Sequence, residues 1–209
     1  MRLPTAMLAA FALAASAASA QAADLTVTVR TPQGAPVKDA VVTLAAPANG
    51  PIRFDWPYRM SQKDLQFDPF VLIVPVGATV SFPNLDPVRH HVYSFSQAKT
   101  FELKLYGQDQ SRSVAFDKAG LVTVGCNIHD QMLAFIVVVD TPYAAKTDAK
   151  GVARIPDAPA GPATLKVWQP YLRAPGSAVT LKATLPKSGA FNQPVVVTLR
   201  PPMAKRMDY

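Results

Sequence analysis

Twenty prolines are spread through the 209 residues of this chain, and they argue against long helices. Short segments between them alternate apolar and polar residues and end at Gly, Pro or Asp, which is typical of β-strands. The chain is therefore predicted to be all-β, with a short helix or turn in Leu103 to Gly107. The clearest strand segments are residues 25–29, 41–44, 165–167, 179–185 and 195–199.

The single cysteine, Cys126, begins a run that also contains His129 and Met132. A thiolate with two imidazoles and a weak axial thioether is the ligand set of an electron-transfer copper centre. The chain has three histidines, so the second imidazole has to come from the adjacent pair His90 and His91. Either member of that pair satisfies the requirement.

The residues before Cys126 indicate where its sulfur points. Val122, Val124 and Cys126 alternate with Thr123 and Gly125, so the cysteine shares a strand face with two apolar side chains. We therefore expect the sulfur to face a core rather than water. Because cysteine and methionine are also ordinary core residues, this run alone leaves a packing role as open as a copper role.

Several ordered motifs accompany these residues: Phe67-Asp68-Pro69, 72–76, 80–84, Asp86 with His90-His91-Val92, 116–120, and the Cys126 to Met132 run. Together they resemble the cupredoxins, the plastocyanin and amicyanin type of blue copper protein. The resemblance covers residues 67–139. It implies a Greek-key β-sandwich with one copper ion, cycling between Cu(I) and Cu(II).

The same resemblance implies that His90, Cys126, His129 and Met132 are the copper ligands. His91, which stands where relatives usually have Asn, is the alternate to His90. The run from Cys126 to His129 and the segment 140–143 are also similar to bacterial plastocyanin-like proteins often labelled methylamine utilization proteins. That label is not evidence for methylamine oxidation.

The two ends of the chain resemble parts of one further module. Residues 25–44 and 146–168 are similar to the early and later parts of a carboxypeptidase-regulatory-like, transthyretin-type β-sandwich. Two or three strands are rarely stable alone, so we predict a second small sandwich that is interrupted by the copper domain. The alternative assigns the N-terminal strands to the copper domain. The predicted divisions are 23–47 and 141–200 for this sandwich, 48–140 for the copper domain and 201–209 for a tail.

Residues 1–22 have the pattern of a secretory signal peptide. Arg2 precedes an apolar run from Met7 to Ala20, with small residues before a cleavage site after Ala20 or Ala22. The run is too short for a membrane span, and no other stretch approaches the required length of about 20 apolar residues. The mature protein is therefore predicted to be periplasmic, without a transmembrane segment.

Composition and missing motifs exclude several function classes. The sequence has no motif for covalent haem, no nucleophile elbow and no phosphate-binding glycine loop, and too few histidines remain for a second copper site. An enzyme is therefore not predicted. The formal net charge of +7 comes without a dense Lys/Arg cluster, which argues against nucleic acid and favours an acidic redox partner.

These observations predict a periplasmic type 1 (blue) copper protein that carries single electrons as a monomer between redox protein partners. Two other functions are considered. The first is a periplasmic copper-binding or delivery protein that uses the same ligands. The second is a structural β-sandwich module in which the copper motifs have no function.

Overall fold

The computed structural model describes residues 22–46 and 51–201. Residues 1–21 of the predicted signal peptide and 202–209 of the predicted tail lie outside these ranges. Within them the chain is all-β, as predicted, with one three-residue 3-10 helix at Pro175–Ser177, and no helix there could cross a membrane. The strands are β1 (Ala22–Arg30), β2 (Val41–Ala45), β3 (Ser61–Lys63), β4 (Gln66–Asp68), β5 (Val71–Pro75), β6 (Ala78–Pro83), β7 (His90–Ser96), β8 (Lys99–Tyr106), β9 (Ser111–Phe116), β10 (Gly120–Cys126), β11 (Leu133–Val139), β12 (Ala144–Lys146), β13 (Val152–Pro159), β14 (Gly161–Trp168), β15 (Ala178–Leu185) and β16 (Ala190–Val196).

Strands β3 to β11, from the middle of the chain, form one group. Five of them make a sheet in the order β5-β11-β10-β7-β8, while β6 pairs with β9 and β3 with β4. Alternate residues of each strand point to the same face, so one face of the large sheet supplies a buried core. This core includes Phe82, Val92, Phe116, Val124 and Ile136.

The prediction of a short helix or turn in Leu103 to Gly107 is wrong. Residues 103–106 belong to β8, which pairs antiparallel with β7, and the turn follows at residues 108 and 109. Phe101 and Leu103 pack against the core while Glu102 and Lys104 alternate with them. Pairing with β7 and this packing outweigh the weak strand preference of glutamate and lysine.

Strands from both ends of the chain form the second group. Its sheets have the orders β13-β1-β16 and β12-β2-β14-β15. Strand β1 is antiparallel to β13 and parallel to β16, and β2 is antiparallel to β12 and β14. Leu25, Val27, Leu44, Leu165 and Val167 meet in one buried core. The division of the chain into two domains stays a prediction.

A separate apolar cluster connects the two groups of strands. Val71, Ile73 and Phe135, on the outer face of β5 and β11, pack with Val41 and Trp168 of the second group. The rings of Phe135 and Trp168 meet edge to face, with centroids 5.4 Å apart. Because both faces of β5 are covered, all five of its residues are buried, as in strands at the centre of a protein.

Candidate metal centre

The loop after β10 brings together three of the predicted ligands. Cys126 ends β10, and Leu133, the residue after Met132, begins β11. The Cys126 backbone N–H donates to the Met132 carbonyl at 3.3 Å, and the Met132 N–H donates to the His129 carbonyl at 2.9 Å. Cys126 and Met132 are buried, whereas His129 is partly exposed. The loop therefore turns back tightly, with its histidine at the surface.

His90 reaches the same place from β7. Cys126 is paired with Val92, and His90 shares the inward face of β7 with Val92. The His90 side chain is fully buried. Its Nδ1 lies 3.8 Å from Cys126 Sγ, and His129 Nδ1 lies 3.7 Å from the same sulfur. One donor atom from each of these three residues lies within 4.8 Å of the others.

These separations fit a metal ion held between the three donors. Metal–sulfur bonds of about 2.3 Å and metal–nitrogen bonds of about 2.0–2.1 Å, as in zinc sites, place sulfur and nitrogen about 3.8 Å apart when they are separated by 120°. A thiolate with two imidazoles is also the donor set of copper electron-transfer centres. The group of His90, Cys126 and His129 is therefore compatible with a type 1 copper site.

Met132 lies beside this group. It is 2% exposed and belongs to the same buried cluster as Cys126. Its backbone hydrogen bond with Cys126 keeps the two residues close although they are six positions apart. The position agrees with a ligand from the same loop, and the axial role of its thioether stays a prediction.

His91 faces the opposite side of β7. Its Nε2 lies 2.8 Å from Glu102 Oε1, and its ring packs 5.9 Å from that of Tyr93. Its buried Nδ1 has no hydrogen-bond partner among the described residues. Because neighbouring side chains of a strand point to opposite faces, only one histidine of the pair can face Cys126, and in this structure it is His90.

Asp86 contacts His90 from the side away from the sulfur, a role that the sequence analysis did not assign. Asp86 Oδ2 lies 2.7 Å from His90 Nε2, and the carboxylate accepts the backbone N–H groups of Asp64 at 2.6 Å and Leu65 at 3.2 Å. Burial raises the pKa of Asp86, but these hydrogen bonds outweigh burial and hold the pKa below its usual value. Sequence spacing does not indicate this contact, because Asp86 lies in an irregular loop, where a separation of four residues does not bring two side chains together as it does on a helix.

Asn84 organises the loop that carries Asp86. Its side-chain amide donates to the carbonyls of Val88 at 2.8 Å and Tyr106 at 3.1 Å, and its side-chain oxygen accepts the Asp86 N–H at 2.9 Å. The side chain is fully buried, and each of these bonds satisfies a polar group inside the protein. Asn84 therefore fixes the path of the chain between β6 and His90.

No family model matches the chain, and no curated protein matches it. Similar solved structures include a purple cupredoxin from Nitrosopumilus maritimus, at 20% identity over 39% of this chain and 98% of that chain, with a TM-score of 0.35. A reduced mutant of amicyanin is 22% identical over 47% of this chain and 98% of its own, with a TM-score of 0.38. A Cu-containing nitrite reductase from Thermus scotoductus SA-01 is 25% identical over 56% of this chain and 28% of its own, with a TM-score of 0.39.

These scores are too low to establish a family. The description of this chain therefore depends on its own geometry. Within the described residues it is an all-β protein with a largely buried His-Cys-His group suited to copper.

Proposed function

We propose that this chain is a periplasmic type 1 copper protein that transfers single electrons between redox proteins. One observation carries the proposal: Cys126 Sγ lies 3.8 Å from His90 Nδ1 and 3.7 Å from His129 Nδ1, at a largely buried position. These three residues would hold the metal, and the Met132 thioether would supply a further, weaker ligand. Bound copper supplies a one-electron couple between Cu(II) and Cu(I).

The surrounding sheet supports the rigid ligand positions that such a function needs. Strand β10, which ends at Cys126, pairs with β11 on one side and with β7, which begins at His90, on the other. Strand β11 pairs in turn with β5, and the apolar cluster around Phe135 covers both from behind. Side chains locked by such packing keep their geometry, so little has to rearrange when the oxidation state changes.

The exposure of the ligands favours one route for the electron. His90 and Cys126 are buried, whereas the ring of His129 is partly exposed beside Ile128, which is 49% exposed. A partner that docks over His129 would approach the metal more closely than one at any other ligand. Electron-transfer encounters bury little surface, typically below about 1,200 Å². A contact limited to the surface around His129 and Ile128 is therefore sufficient for a partner to dock.

The location and the partner are further parts of the proposal. The periplasmic location is supported by the leader pattern of residues 1–22. The formal net charge, +7 for the full chain and +6 once Arg2 is removed with the leader, favours an acidic partner, whose association rate should fall as salt screens the field. An association rate that does not change with ionic strength would contradict electrostatic steering.

The decisive experiment is a titration of the purified protein with Cu(II), followed by absorption spectroscopy before and after ascorbate. We expect an intense band near the red end of the visible spectrum that saturates at about one copper per chain, bleaches with ascorbate and returns on reoxidation. Cys126→Ser should lose this band, because the thiolate produces it.

Three outcomes would redirect the assignment. A band that survives in Cys126→Ser would contradict thiolate ligation. Copper binding by the wild-type protein without a reversible band would contradict electron transfer and favour copper delivery with the same ligands. Absence of copper binding would contradict both functions and favour a structural module.

A further inference from the structure

Asp86 connects a candidate ligand to a distant turn of the chain. Its carboxylate lies 2.7 Å from His90 Nε2 and accepts two backbone N–H groups from the turn between β3 and β4. Asp86 is 5% exposed and His90 is fully buried, so water does not compete strongly for this contact. A carboxylate in this position can influence the orientation of the His90 ring and its strength as an electron donor.

The turn that holds Asp86 has an unusual backbone. Asp64 has a φ of 54° and Leu65 a φ of 55°, both in the left-handed region that residues other than glycine rarely occupy. These are the values expected for the two central residues of a two-residue hairpin turn, here joining Lys63 of β3 to Gln66 of β4. The same turn directs its two successive N–H groups to one carboxylate, an arrangement suited to an anion. The turn therefore orients Asp86.

We propose that Asp86 is a positioning residue that fixes the ring of His90 and favours the oxidised metal. This inference deepens the proposed copper function and rests on it. A ring that donates its Nε2–H to Asp86 keeps its Nδ1 lone pair free on the side of Cys126. The negative carboxylate also makes the imidazole a stronger electron donor, which stabilises Cu(II) more than Cu(I).

The neighbouring residue provides a matched control. His91 also contacts a carboxylate, with Nε2 2.8 Å from Glu102 Oε1, but it lies on the other face of β7. The two pairs have nearly equal distances and adjacent histidines, but of these two histidines the described structure places a ring nitrogen within 4 Å of Cys126 Sγ for His90 alone. Neutralising each carboxylate separately therefore tests whether the effect on copper requires a negative charge beside His90, or whether a negative charge beside either histidine is enough.

The experiment compares Asp86→Asn and Glu102→Gln in the full protein. Cu(II) affinity is measured by competition with a chelator, and the reduction potential by voltammetry. In Asp86→Asn we expect Cu(II) affinity to fall about 10–100-fold. A tenfold loss confined to Cu(II) corresponds to a rise of about 59 mV in a one-electron potential. Glu102→Gln should match the wild type in both quantities.

The outcomes separate this inference from the proposed function. If the wild type shows the reversible copper band but Asp86→Asn leaves affinity and potential unchanged, the positioning role is wrong and the copper function stands. If Glu102→Gln has the larger effect, His91 rather than His90 is the ligand and the inference falls. If the wild type binds no copper, both proposals fall.

A measurement on the wild type keeps the test valid if Asp86→Asn does not fold. NMR of the ¹⁵N-labelled, metal-free protein should show a His90 Nε2–H proton that is protected from exchange with water. The partly exposed ring of His129, for which no carboxylate contact is described, should show no comparable protection. A His90 ring with an unprotonated or rapidly exchanging Nε2 would overturn the inference.

Discussion

His90, Cys126 and His129 differ in exposure, and this difference separates their roles at the candidate metal centre. His90 and Cys126 lie inside the core and are held by strand pairing, whereas His129 lies in a loop at the surface. The buried pair can set the geometry and exclude water, and the partly exposed ring can meet a partner. We therefore expect substitutions near His129 to affect exchange with partners more than metal affinity.

Met132 should tune the metal rather than hold it. Replacing Met132 with Leu keeps the apolar volume but removes a weak, long thioether ligand, so we expect copper to remain bound and the reduction potential to rise. Voltammetry and copper quantification test this. Met60→Leu is the control, because Met60 is equally buried in the same cluster. Complete loss of copper from Met132→Leu would make the thioether an essential ligand.

Tyr106 should make stability depend on alkaline pH. Its hydroxyl donates to the Phe82 carbonyl at 2.8 Å, and burial is the main cause that raises its pKa from 10.0 to about 12. As the pH rises, the unfolded chain loses the Tyr106 proton at a lower pH than the folded protein does. The stabilisation that the protonated Tyr106 hydroxyl gives to the fold is therefore fully present below pH 10 and is lost as the pH rises toward 12. The free energy of unfolding should fall by about 1.4 kcal/mol per pH unit in that window.

Tyr106→Phe provides the comparison for this prediction. The variant has no phenol to titrate at that position, so the difference in unfolding free energy between wild type and variant should shrink between pH 10 and 12. Chemical denaturation at several pH values measures it. A difference that stays constant over this range would mean that the Tyr106 pKa is not raised.

At the scale of elements, the turn before β13 contains a glycine that no other residue can replace easily. Gly151 has a φ of +74°, and a Cβ placed there would lie 2.5 Å from the Val29 carbonyl and 3.0 Å from the Val37 nitrogen. Gly34 also has a positive φ, of +83°, but a Cβ there would meet nothing within 4 Å. Substituting each of the two glycines therefore distinguishes the cost of the left-handed backbone conformation alone from the additional cost of a clash between the new Cβ and the backbone.

Gly34→Ala should cost only the left-handed conformation, about 1–2 kcal/mol. Gly151→Ala should cost at least twice as much, because it also pushes β1 away and weakens the 2.8 Å hydrogen bond from the Val29 N–H to the Gly151 carbonyl. Urea unfolding of the two variants measures the difference. Equal losses would show that the turn moves aside without disturbing β1.

Residue patterns predicted most strands but could not choose between His90 and His91. Residues 25–29, 41–44 and 179–185 all lie in strands, and polar and apolar side chains alternate cleanly in the first and last of these segments. On β7 the inward face carries Val92, while the other carries Tyr93 and the 82% exposed Phe95. With apolar residues on both faces, alternation does not indicate which histidine is buried.

The hydrogen bonds around the site were also beyond the sequence patterns. Asp86 lies close to His90 in sequence, but its other partners come from the β3–β4 turn, more than twenty positions earlier. Such a contact depends on how strands pair across the sheet, which local spacing does not encode. The prediction of a short helix or turn at residues 103–107 is wrong for the same reason, because pairing with β7 decides the conformation of that segment.

At the scale of the whole molecule, the strand order predicts that the C-terminal segment cannot fold alone. Strand β1 lies between β13 and β16, and β2 lies between β12 and β14. A fragment of residues 140–200 lacks both central strands and leaves unpaired edges on each side. We expect this fragment to be unfolded by circular dichroism and NMR.

Adding a peptide of residues 22–46 should restore structure to the fragment. The same peptide with Val27→Asp is the matched control, because Val27 is fully buried in the shared core and a charge there has no partner in that core. A fragment that folds without the peptide would contradict the interrupted sandwich. It would favour the alternative in which the C-terminal strands form an independent appendage.

The pairing of β1 with β16 has a consequence for the order of folding. Leu25 pairs with Phe191, so the sheet that contains β1 is complete only when β16, the last of the sixteen described strands, has been added. The entropy of closing so long a loop is reduced if the middle strands fold first and shorten the connection between β2 and β12. Strand β1 thus leaves the ribosome before β13 and β16, the strands on either side of it, and stays unpaired until they follow. Until then its unpaired backbone edge and its apolar face are exposed, and we expect a chaperone to bind the chain there.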